Sequence, residues 1–168
     1  MADDTSRHGV TGSGALSVNI GLNVVVGMGQ ITPYPNKLLA VAEQLIKADE
    51  FSISIVVAHI ACEVATDRAF AHAYRTRGLE YLEDAVEDLL PGNNLATEKT
   101  RKLYTALTGD EVEQQEFWRR FKDSVKRRNQ VSHGGAVMNR HEAEESLDVA
   151  RKLVAHLQAR YGGHGSSK

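Results

Sequence analysis

Cys62 is the single cysteine in 168 residues. No internal disulfide can brace the fold, which fits a reducing compartment. No apolar run approaches the length that spans a bilayer. The opening MADDTSRHG is polar and acidic rather than a secretory leader, so no membrane is expected and the cytoplasm is the expected location. Neither charge sign prevails: the formal net charge of −2 excludes a generally sticky nucleic-acid coat protein. Any attraction to phosphate must come from local clustering. Aromatics are scarce at 6%, and the chain carries no Walker loop, no serine-nucleophile motif and no zinc signature. Proline occurs only at 33, 35 and 91, where it punctuates: Thr32-Pro33-Tyr34-Pro35 ends one element and leads into a helix, and Pro91-Gly92 stops another.

What is present is the composition of one ordinary folded domain, 42% hydrophobic and 25% charged. Residues 1–15 are polar and unpatterned and are expected to be a flexible N-terminus. From Leu16 to Val26 apolar residues recur every second position, the mark of a strand with one buried face, so residues 16–31 are predicted as a short β-arm. The helical domain is predicted over 36–161, and 162–168, GGHGSSK, as a flexible tail. Leu38, Leu39, Ala42, Leu45 and Ile46 give a first amphipathic face. A long apolar helix from Ser52 to about Arg75 is predicted as the centre of a bundle. Leu79, Leu82, Ala85, Val86 and Leu89 suggest a third helix with an acidic outer face. Leu103, Tyr104 and Leu107 suggest a shorter one, stopped at Thr108-Gly109-Asp110. Ala143, Leu147, Ala150, Val154 and Leu157 stripe the last helix, for which Asn139 and Glu142 form a capping box. The predicted fold is therefore all-α, a bundle of five or six helices with a short N-terminal β-arm.

Gln115 to Gly135, QEFWRRFKDSVKRRNQVSHGG, is the most informative stretch. Phe117, Phe121 and Val125 recur every four residues and must face apolar neighbours. Arg119, Arg120, Lys122, Lys126 and Arg127 make the remaining faces basic, a strip suited to nucleic-acid phosphates. Gly134-Gly135 should close the helix, which places His133 on its last turn. Arg128-Asn129, followed after three intervening residues by His133, resembles the Arg-x4-6-His motif of the HEPN superfamily (higher eukaryotes and prokaryotes nucleotide-binding). The basic helix before it, the break after it and the long closing helix match that pattern, as does AHIACEV upstream with Glu63.

The resemblance implies a metal-independent endoribonuclease, needing no cofactor, that cleaves RNA by transesterification to leave a 2',3'-cyclic phosphate. It implies a homodimer whose motifs converge on one RNA, and a place in a toxin-antitoxin or phage-defence system with an antitoxin as possible protein partner. Arg128 would hold the phosphate, His133 would move protons, Asn129 would position either, and Glu63 would orient Arg128. At about 100° per residue, however, positions 128 and 133 sit roughly 140° apart on an ideal helix. The other reading of these residues is a non-catalytic module that binds RNA, nucleotide or a partner protein, with Arg128 paired to a bundle carboxylate such as Glu63 and His133 meeting carbonyls at the helix end. His59 and Cys62 are read as core, His72, His141 and His156 as surface or capping residues, and Trp118 and Tyr104 as packing rather than base-stacking groups.

Overall fold

Helix α2, Phe51–Arg77, is the member the rest of the bundle packs around. Its inward residues follow helical spacing, with Ile55, Ala58, His59, Cys62, Ala65, Thr66, Ala69, Phe70, Ala73 and Tyr74 all buried. The alanines keep that face shallow, so neighbouring helices approach closely. The structure is a computed structural model, and it describes residues 33–90 and 92–161. The expected β-arm, N-terminal segment and tail lie outside these residues.

Among the described residues six α-helices form an all-α bundle: α1 (Tyr34–Lys47), α2, α3 (Glu83–Glu87), α4 (Glu98–Thr108), α5 (Trp118–Gly134) and α6 (Arg140–Tyr161). Two short 3-10 turns, Glu80–Leu82 and Val112–Gln114, precede α3 and α5. Helix α2 packs most extensively against α1 and α6, then against α5, and α6 also meets α1 and α5. The core they enclose includes Leu39, Ile46, Ile55, Phe70, Tyr104, Trp118, Phe121, Leu147, Leu153 and Leu157.

Local chemistry accounts for the element ends. Asn139 Oδ1 accepts from the Glu142 backbone N–H at 3.0 Å, and Glu142 Oε2 accepts from the Asn139 N–H at 2.9 Å, a reciprocal cap on α6. Helix α5 ends at Gly135 with φ 61°, where the Gly135 N–H returns to the Val131 carbonyl. Ala143, Leu147, Ala150, Val154 and Leu157 are all buried, as the stripe on α6 requires. The expectation for 79–89 needs correcting. The segment makes only a 3-10 turn and the five-residue α3, and Leu82, Ala85 and Leu89 are exposed while Leu79 and Val86 alone pack inward. The break follows from Gly78, left-handed at φ 65°, after which the Leu79 N–H bonds back to the Tyr74 carbonyl and turns the chain away from the axis of α2.

Cys62 lies in the core, 3% exposed, and burial, with the Glu63 charge second, pushes its thiol well above the usual range. The native chain is therefore expected to resist thiol-disulfide reagents at neutral pH and to react fully only on unfolding in denaturant. Prompt labelling of the native chain would place Cys62 elsewhere.

Candidate functional site

Helix α5 divides its side chains by angle. Trp118, Phe121, Ser124 and Val125 are buried, and Arg128, three residues beyond Val125 and seven beyond Phe121, continues that inward stripe. Its side chain is 26% exposed and reaches α2, where Nη2 lies 3.6 Å from Glu63 Oε1. Nη1 donates to Asn129 Oδ1 at 3.2 Å. Nε is shut off from solvent without an aligned partner. A guanidinium so placed is held at one edge and keeps donors in reserve.

The sequence reading missed a fourth member of this group. His59, one turn before Glu63 on α2, is 2% exposed and stacks on Phe121 with ring centroids 6.3 Å apart. Its Nε2 comes to 3.3 Å from Glu63 Oε1, close enough for charge attraction but off the angle of an aligned hydrogen bond. The i, i+4 spacing of His59 and Glu63 was a visible signal. The hydrogen-bonding approach of His59 does most to hold the Glu63 carboxyl below the usual carboxylate range; burial opposes it, and the charges of His59 and Arg128 add to it. Glu63 thus stays an anion and keeps Arg128 in place. It also lines an open hollow of about 370 Å³ with Ile60, Val64, Asp67, Gly92 and Asn93, which gives the carboxylate access to solvent.

His133 is elsewhere on the helix. It is exposed and, among the described residues, makes no hydrogen bond or ion pair. Because α5 runs unbroken to Gly134, the turn of roughly 140° between positions 128 and 133 is kept. Arg128, Asn129, Glu63 and His59 are brought together within the chain, and His133 is not among them.

The basic strip is also uneven. Arg120 pairs with Asp148 at 3.0 Å, Lys126 with Asp123 at 2.9 Å, and Arg127 with Glu145 at 2.6 Å. Arg119 and Lys122 are exposed, with no carboxylate in ion-pair distance among the described residues. Arg119, Lys122, Lys126 and His133 follow one another at three, four and seven residues, so they share one solvent face of α5. A phosphate backbone laid on that face would run from the free cations to the imidazole.

One further residue differs from expectation. His156 was read as a surface or capping residue, yet its side chain is 15% exposed and Nε2 lies 2.7 Å from Asp110 Oδ2. Trp118 and Tyr104 are buried and serve packing. Among the described residues no three His, Cys, Asp or Glu side chains gather as metal ligands would. No known protein family, curated protein or solved structure matches the chain, so the reading of the site rests on its own residues.

Proposed function

We propose that the protein is a metal-independent endoribonuclease of the HEPN type, working as a homodimer. One observation carries the reading. At a single helix end an anchored guanidinium, Arg128 held by Glu63 and Asn129, stands five residues from a bare imidazole, His133. In the reaction His133 takes the proton of a ribose 2'-OH, the freed oxygen attacks the adjacent phosphorus, and the 5'-oxygen leaves and is protonated. The guanidinium of Arg128 binds the non-bridging oxygens as charge builds on them. The products are a 2',3'-cyclic phosphate and a 5'-hydroxyl end.

A dimer fits this reading because Arg128 and His133 diverge within one subunit. A face for it exists on α2: Ile53 and Ile60 are exposed, Val56, Val57 and Val64 are half-exposed, and all lie within a narrow arc beside Glu63. Val137, 92% exposed, stands in the α5–α6 connection that Ser52 Oγ fastens to α2 through Ala136 O and the Met138 N–H. A second copy seated there brings its own His133 toward Arg128.

The same divergence favours a second reading, a non-catalytic module that binds RNA, nucleotide or a protein partner. Cleavage of RNA in chelator separates the two. The nuclease reading expects cyclic phosphate ends, and His133→Ala is expected to lower the rate by about 10²- to 10⁴-fold, the usual contribution of proton transfer. The position is exposed, so the variant should melt like the parent. Cleavage unchanged in His133→Ala removes this site assignment, and no cleavage by the parent while salt-dependent RNA binding persists leaves the binding module.

A further inference from the structure

At the far end of α2 from Glu63 the bundle leaves a half-open cavity of about 430 Å³. Its lining on α2 begins at Ala69, six residues and roughly 9 Å beyond Glu63 along the helix, and includes none of His59, Glu63, Arg128 or Asn129, so the cavity is separate from the Arg128 group. Three elements wall it: Ala69, His72, Ala73, Thr76 and Arg77 from α2, Tyr104, Leu107 and Thr108 from α4, and Arg160 and Tyr161 from the end of α6. Ala69 and Ala73, one turn apart, leave the floor open where longer side chains would close it, and well-packed interiors seldom keep an unfilled space of this size. The space is within the range that holds a small organic molecule.

Its chemistry is one-sided. The lining includes two arginines and no carboxylate. Arg77 Nε donates to the Leu107 carbonyl, which fixes the side chain at the C-terminal end of α4. No carboxylate lies in ion-pair distance of Arg77 among the described residues. Arg160 is held from behind, Nη2 3.0 Å from Oδ1 of the buried Asp110. The rest of the lining is largely apolar: the ring of Tyr161, 6.3 Å from that of His72, with Leu107 and the two alanines. Two cations and a largely apolar lining that includes an aromatic ring fit one kind of guest.

We infer that this cavity binds a small organic anion with a flat apolar body, its carboxylate or phosphate held by Arg77 and Arg160 and its body between Tyr161 and the alanine floor. The guanidinium fork suits both heads. The site is independent of the nuclease reading.

Anilinonaphthalene sulfonate, a ringed anion that brightens in apolar surroundings, is the first probe for the full-length chain. One equivalent should bind saturably, and naphthoate and naphthyl phosphate should displace it, the better displacer telling a carboxylate site from a phosphate site. Uncharged naphthalenemethanol should displace it poorly. Arg77→Glu should weaken binding about tenfold or more, the loss of one charge-assisted hydrogen bond. Arg77→Lys should fall between, and Thr76→Trp should plug the mouth. Thr76 and Arg77 are exposed, so circular dichroism and thermal melting should match the parent. Absence of saturable binding, equal displacement by the neutral alcohol, or parental affinity in both Arg77→Glu and Thr76→Trp overturns the inference.

Discussion

Asp110→Ala is expected to destabilise the chain by about 3–5 kcal/mol, the cost of leaving two buried polar groups without their acceptor. Asp110 is 2% exposed and collects three side chains from two helices. Tyr104 Oη donates to Oδ2 at 2.7 Å, His156 Nε2 meets the same oxygen at 2.7 Å, and Arg160 Nη2 lies 3.0 Å from Oδ1. The carboxylate therefore joins α4, through Tyr104, to α6, through His156 and Arg160. Burial first, and then the hydrogen bond to Asp110, pushes the Tyr104 phenol well above its usual range, so it stays a donor. Arg160 is half exposed and contributes little by itself. The larger loss is a phenol at 0% exposure and a nearly buried imidazole left without an acceptor.

Against a total stability of about 5–15 kcal/mol, such a change should lower the melting temperature by roughly 10 °C or more. Asp110→Asn keeps an acceptor for Tyr104 and should lose about half as much. Urea unfolding followed by circular dichroism measures both variants. A loss below about 1 kcal/mol in Asp110→Ala would mean that water already satisfies these groups and that the cluster does not tie the helices together.

None of this cluster was visible as a cluster in the sequence. Thr108-Gly109-Asp110 reads as a turn, and the turn is there: the Asp110 N–H donates to Thr108 Oγ1, and Gly109 is left-handed at φ 70°. What local reading misses is that the turn delivers its side chain inward, to residues 46 and 50 positions later. His156 and Arg160, one turn apart on α6, were a usable hint, because two potential donors on one helix edge ask for a shared acceptor. Periodicity served where a helix is long enough to repeat its own face, as in α2, α5 and α6. It failed at 79–89, where five leucine, alanine and valine positions suggest a stripe that a 3-10 turn and a five-residue helix cannot lay down.

The site was legible in the same uneven way. The tie between Arg128 and Glu63 follows from a residue that continues an apolar stripe yet carries a charge: it must find a carboxylate on whatever it packs against. The basic strip was over-read, since Arg120, Lys126 and Arg127 each have an anionic partner, two of them on α6. Sequence counts charges but does not say which helix faces them. The solvent face that remains, Arg119, Lys122 and His133, is narrower than the strip.

Mixing two dead variants is expected to restore cleavage. If Arg128 of one subunit works with His133 of the other, a dimer of Arg128→Ala with His133→Ala contains one ruined site, lacking both groups, and one intact site. Random exchange of equal amounts makes half of the dimers mixed, each with one working site of two, so the mixture should reach about a quarter of the parental rate in a two-fold symmetric dimer. Each variant alone should be about 10²-fold or more below the parent. The unbroken α5 and the arc of roughly 140° between the two positions are what make a shared site preferable to one within a single chain.

Ile60→Asp on the α2 face provides the control. Ile60 is 39% exposed and beside Glu63 in sequence and space, so an aspartate there is tolerated by the folded chain and opposed by an apolar interface. Sedimentation should show monomers, and the mixture carrying it should stay inactive. A parent that sediments as a monomer while cleaving RNA, or a mixture that stays dead although the subunits exchange, puts both groups back in one chain. Arg128 would then have to leave Glu63 and swing around α5 to meet His133, a movement that Glu63→Gln should ease and that would raise activity rather than lower it.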